Sequence, residues 1–292
     1  MIETIGAAMT HVLAWLARKA PPWASRRLAS GLGWVWYRLI PIRRRVARQN
    51  MERALELSPI ETEYLLASMY RHFAWSVMEI FRHGTVGGMP FIPTVRGIEH
   101  LHAAMARERG VILVTAHLGN WELLIRYGST LPRPLTIVTR EMRSRFFNSM
   151  WRTLRMGSAQ YVSEGAHPRT LVRRLRRNEL LGFVLDQHEP ARTAHVSEFM
   201  GRPAASSTGL ARLASIAGAS IVPVFIRRLD SGTHDIWFEA PIEATEVHRQ
   251  AQVRQLTDSC LARIEAAVRL VPEQWLWLHR RWKVTPKDEG RN

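Results

Sequence analysis

Cysteine is almost missing: Cys260 is the single one in 292 residues. That excludes an intramolecular disulfide and removes any cysteine-built zinc site. Lysine is nearly as scarce, since only Lys19, Lys283 and Lys287 contribute to the 41 Lys+Arg. No apolar run reaches the roughly 20 residues that a bilayer-spanning helix needs. The best candidate, Leu28 to Ile42, carries Arg38 and is interrupted by Gly31, Gly33 and Pro41. No secretory leader is expected, because Glu3 stands in the would-be basic region and no small-residue cleavage site follows an apolar core. The Gly-x-Ser-x-Gly elbow, the phosphate-binding Gly-x-x-x-x-Gly-Lys loop and the dinucleotide Gly-x-Gly-x-x-Gly fingerprint are all missing. So is tight His-x-x-His or His-Glu-x-x-His spacing, and no metal is expected.

What is present is positive charge. The balance of 41 Lys+Arg against 25 Asp+Glu leaves a net +16. It implies anionic partners: a phospholipid surface, an acidic carrier protein or nucleic acid. No nucleic-acid module accompanies the charge, so nucleic acid is not expected. Apolar residues make up 46% of the chain, enough for one large core or for a catalytic domain with a smaller appendage.

Along the chain, helical patterns come first. Met1 to Arg18 places Ile5, Met9, Val12, Leu13 and Leu16 on one stripe. Pro21 and Pro22 end that helix. Leu28 to Ile42 is a second apolar segment, with Trp34, Trp36 and Tyr37, followed at once by Arg43, Arg44, Arg45 and Arg48. Aromatic flanks and a basic cluster suit a helix lying in a membrane interface. A further helical region, Asn50 to Phe81, breaks at Ser58-Pro59. Gly84 to Pro93 marks a boundary. Residues 1–90 are therefore expected to form an N-terminal helical, membrane-associating portion. Residues 91–292 alternate strand and helix patterns, which predicts an α/β sandwich with a mostly parallel central sheet flanked by helices. Its expected segments include a helix from Ser206 to Ala217, an antiparallel strand at His234 to Glu239 and a long final helix from Val247 to Leu270. Pro168 to Arg177 is expected as a helix bearing Arg169, Arg173, Arg174, Arg176 and Arg177.

The informative stretch is Val111 to Glu122. Val111 to Ala116 is compact, apolar and rich in β-branched residues, as in a strand buried on both faces. It stops at His117. Gly119 and Asn120 supply turn and N-cap chemistry, and Trp121 begins a helical pattern. Ligand chemistry in open α/β sheets gathers at the carboxyl ends of strands. A short turn there is expected to bring Glu122 onto the His117 ring. A neutral imidazole can take a hydroxyl proton near neutral pH, and a carboxylate on its other nitrogen fixes the tautomer. Two plainer roles stay open: Glu122 capping the helix through the Gly119 backbone, and His117 as a satisfied buried histidine.

Other strand ends carry polar residues. Arg140 could bind a phosphate or carboxylate, or be a solvated surface arginine. Asp186, followed by Gln187, could orient a partner, contact substrate or cap a turn before Pro190.

These residues resemble a family. His117-Leu118-Gly119-Asn120-Trp121-Glu122 is similar to the His-x4-Asp/Glu motif of glycerolipid acyltransferases, and more narrowly to the bacterial late lipid A acyltransferases, a family that includes phosphatidylinositol mannoside acyltransferases. Arg43 to Asn50, Val95 to Leu101, Asp186-Gln187, Phe199-Met200-Gly201 with Ser207-Thr208-Gly209, and Pro272 to Trp282 resemble further segments of it. The resemblance covers roughly residues 30 to 285. It implies a glycerolipid-acyltransferase-like fold and a peripheral or monotopic place on the cytoplasmic face of an inner membrane. It also implies direct attack of an acceptor hydroxyl on a thioester of acyl carrier protein or coenzyme A, with no other cofactor. His117 would be the general base, Glu122 its orienter, and Arg155 the group at the oxyanion or a phosphate, with Arg152 the near alternative. Asn120, Arg140, Arg152, Asp186 and Gln187 are the expected substrate contacts. The expected acceptor is a lipid A precursor or related glycolipid, with a mannosylated phosphoinositide or an aminolipid as alternatives. A non-catalytic lipid-binding protein on the same fold is a further alternative.

Overall fold

A computed structural model of the chain describes residues 2–40, 42–84, 89–139, 144–163, 167–190, 194–243 and 250–283. The chain opens with helices α1 (Ile2–Lys19), α2 (Pro22–Leu39), α3 (Arg44–Leu55) and α4 (Pro59–His83). The break before α4 follows from its sequence. Ser58 accepts from the Glu61 backbone while the Glu61 side chain returns to the Ser58 backbone, and Pro59 needs no donor at N1.

The remainder alternates: β1 (Thr94–Arg96), α5 (Ile98–Met105), β2 (Val111–Thr115), α6 (Trp121–Gly128), β3 (Leu135–Thr139), α7 (Arg145–Leu154), β4 (Gln160–Ser163), α8 (Pro168–Leu175) and β5 (Leu180–Val184). Then come β6 (Ala194–Phe199), β7 (Arg202–Ser207), α9 (Gly209–Ala217), β8 (Ser220–Arg228), β9 (His234–Phe238), α10 (Gln250–Leu270) and a short 3-10 helix, Pro272–Gln274. Among the described residues the main sheet runs β1-β9-β8-β2-β5-β3-β4. It is parallel except for the β8–β9 pair. The expected α/β class and mostly parallel sheet are therefore found. β2 lies at the centre, in parallel register with β5 and β8.

One expectation changes. The helix expected from Ser206 begins at Gly209, because Arg202–Ser207 pairs antiparallel with β6 in a separate hairpin. Ala204, Ala205 and Ser206 are small residues with no strong local pattern, so pairing decides. The apolar stripes of α1 and α2 face away from the protein, the orientation that an interfacial helix needs. Gly6, Thr10, Ala14 and Ala17 of α1, and Ser25, Ala29, Gly33 and Tyr37 of α2, are the buried positions. At Gly33 a Cβ would meet the Arg71 backbone, so α2 and α4 touch main chain to main chain. The large apolar side chains Ile5, Val12, Trp15, Trp23, Leu28, Leu32 and Trp34 are left exposed. No helix among the described residues is long and apolar enough to cross a membrane. Residue 90 marks a change of secondary-structure class rather than of core: Met51 of α3 and Met69 and Phe73 of α4 pack in one cluster with Ile112 and Val114 of β2.

Candidate active site

β2 is buried along Val111 to Val114, and the chain leaves it at the carboxyl rim through Ala116 and His117. Gly119 then turns the backbone at φ +59, where a Cβ would collide with the Ile226 carbonyl of β8. The turn is clamped from two sides. Gly119 N donates to Gln274 O at 2.9 Å and Leu276 N to His117 O at 3.1 Å, so the segment after α10 zips onto it. His72 Nε2 lies 3.2 Å from Gly119 O.

Asp186, not Glu122, meets the imidazole. Thr115 pairs with Val184, so the residues two positions on, His117 and Asp186, stand side by side at the rim. His117 Nδ1 is 2.8 Å from Asp186 Oδ1, and the His117 backbone N–H donates to Oδ2 at 2.8 Å. Trp275 Nε1 donates to the same Oδ2 at 2.7 Å. Burial works against a charged Asp186, but His117 and the Trp275 and backbone donors prevail and hold its carboxyl at about 2. Burial pulls the His117 pKa down. The Asp186 charge and hydrogen bond, helped by the more distant Glu122 charge, outweigh it and leave the imidazole above its ordinary value. With Nδ1–H given to Asp186, Nε2 carries the lone pair.

Glu122 is buried, and its carboxylate is held by Arg155, the residue after α7. Nε–Oε2 is 2.9 Å and Nη2–Oε1 is 2.6 Å. That bidentate pair is why Glu122 does not turn back onto the ring. Arg155 is packed between the Trp151 and Tyr161 rings, at 5.3 and 5.2 Å. Gln187 Nε2 is 3.4 Å from both ring nitrogens of His117, which places it over the ring face. Trp121 packs edge-on against the same ring, centroids 5.1 Å apart.

Asn120 sits at the N-cap position of α6 without a side-chain cap. Its amide instead donates to Glu79 Oε2 at 2.9 Å and Ser76 O at 3.2 Å, so it anchors the turn to α4. Glu79 in turn takes Arg228 at 2.6 and 2.7 Å and lies 3.2 Å from His234 Nε2. Arg228 exchanges backbone hydrogen bonds with the Gln274 side chain. Burial works against the Glu79 charge, but Arg228 and His234 outweigh it and keep the carboxyl well below the usual range. Arg152 is exposed on α7 beside Glu3 and Arg145 and does not join the cluster. Arg140 lies outside the described residues.

Sequence reasoning missed Trp275, Gln274 and the α4 residues His72 and Glu79. The one available signal was the Pro272–Trp282 run, whose tryptophans Trp275 and Trp277 are fully packed. Asn50 ties that run down by donating to Trp277 O and His279 O, each at 2.8 Å.

A crevice that does not itself include His117, but reaches Trp121 packed on its ring, opens between the sheet and α6. It is lined by Leu113, Trp121, Leu124, Leu131, Ile137 and Phe183, with Gly182 in its wall. Its free volume is about 40 Å3, so an occupant would enter by pushing wall side chains aside. A roomier cavity of about 200 Å3 lies across the Glu79–Arg228 pair, among α2, α4 and the β8–β9 turn. Arg26, Arg82, Glu79 and Arg228 line it, and it does not include His117.

Taken together, the rim holds a hydrogen-bonded His–Asp pair, a buried carboxylate–guanidinium pair and an adjacent apolar crevice. A family model described as bacterial lipid A biosynthesis acyltransferase matches residues 2–284. The chain is 25% identical over 283 residues to the lipid A biosynthesis lauroyltransferase of Escherichia coli (strain K12), covering 94% of this chain and 90% of the relative. It is 24% identical over 259 residues to the lipid A biosynthesis palmitoleoyltransferase of the same organism, covering 85% and 81%. Similarity to the phosphatidylinositol mannoside acyltransferase of Mycobacterium tuberculosis (strain ATCC 25618 / H37Rv) is 24% over 261 residues, covering 84% and 78%.

Proposed function

The chain belongs to the bacterial lipid A biosynthesis acyltransferase family, and from that premise we propose that it moves a fatty acyl chain from a thioester to a hydroxyl of a glycolipid, with His117 as general base. The observation that carries this reading is the His117–Asp186 pair beside an apolar crevice. The acceptor hydroxyl gives its proton to His117 Nε2 as its oxygen attacks the thioester carbonyl. The C–O bond forms, the C–S bond breaks, and the proton passes from the imidazolium to the departing thiolate. Asp186 holds the tautomer and stabilises the imidazolium. The first-turn N–H groups of α6 offer positive potential to the oxyanion, and Arg155, paired with Glu122, holds α6 in place there. The donor is a thioester of acyl carrier protein or coenzyme A, and it is a substrate rather than a cofactor.

The acceptor class we favour is a lipid A precursor. Near-equal identity to the mannoside acyltransferase favours a mannosylated phosphoinositide as the second reading. The exposed apolar faces of α1 and α2 would rest in the interface of an inner membrane, on its cytoplasmic side.

The test is acyl transfer by purified protein in detergent, with labelled thioester donors and a panel of acceptors. Label on one acceptor, lost in His117→Ala, supports the reading. Equal labelling by wild type and His117→Ala would overturn His117 as base.

A further inference from the structure

α8 and α9 lie side by side over the sheet face opposite α6. α8 leads into β5 and α9 into β8, both parallel to β2, so both helices begin at the rim that holds His117. Each presents one exposed stripe. On α8 and its last turn it is Arg169, Arg173 and Arg176, with Arg177 beside them, and on α9 it is Arg212 and Ile216. Neither helix contains a carboxylate. Arg174 is turned aside to Glu179 at 2.9 Å and Gln160 at 2.6 Å. Among the described residues the five exposed guanidinium groups form no ion pair.

Such a row of like charges repels itself. An opposing acidic surface would relieve it. A bilayer fits poorly here, because interfacial docking combines charge with large apolar anchors. Those anchors are concentrated on α1 and α2, whereas this face exposes Ile216 alone among large apolar side chains of α8 and α9. A small anion also fits poorly, because the arginines are strung along helices about 12 Å long rather than converging on a point. The 4-and-3 spacing of Arg169, Arg173 and Arg176 matches carboxylates on one face of a helix, and Ile216 offers a single apolar seat.

We propose that this arginine row docks an acidic carrier protein that bears the acyl thioester on a flexible arm, the arm passing over the rim to His117. The proposal rests on the thioester chemistry proposed above. The experiment compares wild type with Arg173→Glu/Arg212→Glu on two donors, dodecanoyl-acyl carrier protein and dodecanoyl-pantetheine, which lacks the protein. For the double variant, KM for the carrier donor rises at least about 10-fold while kcat and the pantetheine kinetics hold. The wild-type KM for the carrier donor also climbs with added salt. An unchanged carrier KM, or equal losses on both donors, overturns the proposal. So does lost flotation on phosphatidylglycerol vesicles with carrier KM unchanged, which would give the row to the membrane. If wild type turns over neither donor, the acyl-transfer reading falls. Calorimetric titration of the carrier into wild type and variant then still decides the docking.

Discussion

Asp186 has three donors on two oxygens, and His117 supplies two of them. Removing the base should therefore be costly: His117→Ala is expected to lower kcat by about 10²–10⁴, read by acyl transfer at saturating donor. Asp186→Asn separates orientation from mere packing through the pH profile. The base form is needed, and Asp186 raises the His117 pKa, so the wild-type acid limb lies above the ordinary histidine value. Without that carboxylate the two Asp186 contributions that oppose burial are gone, and the limb moves to lower pH as the plateau falls. An unmoved limb would exclude Asp186 as the titrating partner. Stability follows the same linkage. The raised His117 pKa gives stability that is complete below about 6.5 and is lost as pH rises through the folded value. The lowered Asp186 pKa gives stability present above about 3.9 and lost as pH falls toward about 2. Glu122→Gln leaves the Arg155 guanidinium partly buried and unpaired. It is expected to cost about 3 kcal/mol in urea unfolding, and less when combined with Arg155→Met.

At the scale of elements, the turn between β2 and α6 is held from outside itself, by α4, β8 and the segment after α10. Gly119 is where that packing is tightest. Gly119→Ala meets both a positive φ and the Ile226 carbonyl. A loss of more than about 1 kcal/mol in stability is expected, with kcat falling alongside, measured by thermal melt and assay. The β5 wall of the crevice makes a different prediction. A side chain at Gly182 would press on the Ile137 terminal methyl, a flexible neighbour. Gly182→Val should fold and shift preference toward shorter acyl chains. Each excluded methylene is worth about 0.8 kcal/mol, about 4-fold in kcat/KM, seen by competing donors of graded length.

For the whole molecule, the large exposed apolar side chains gather on α1 and α2, whereas α8 and α9 expose mainly arginine. Small residues on the inner stripes of α1 and α2 let these helices pack closely on α7 and α4. That close packing turns the large apolar residues outward, an arrangement that suits lipid rather than water. Trp15→Glu/Leu28→Glu/Leu32→Glu should abolish flotation with anionic vesicles while circular dichroism and turnover of a detergent-dispersed acceptor persist. Retained flotation would show that these faces do not bind the membrane.

The sequence by itself determined most of the elements, though not the β6–β7 hairpin, and one half of the site. The apolar run ending at His117, the Ser58–Glu61 capping box and the strand–helix alternation are local patterns, written in consecutive residues. So is the C-terminal run from Pro272 to Trp282, although its role against the turn was not legible. What lay beyond the sequence was decided by strand order. Asp186 reaches His117 only because β5 pairs with β2 in a register that brings the two strand ends level, and Glu122 is drawn away because α7 ends with Arg155 beside it. The apolar stripes on α1 and α2 were legible, and their aromatic and basic flanks already suited an outward face; which residues pack inward was not. Periodicity identifies the face of a helix, but only packing decides whether that face meets the core or the surroundings.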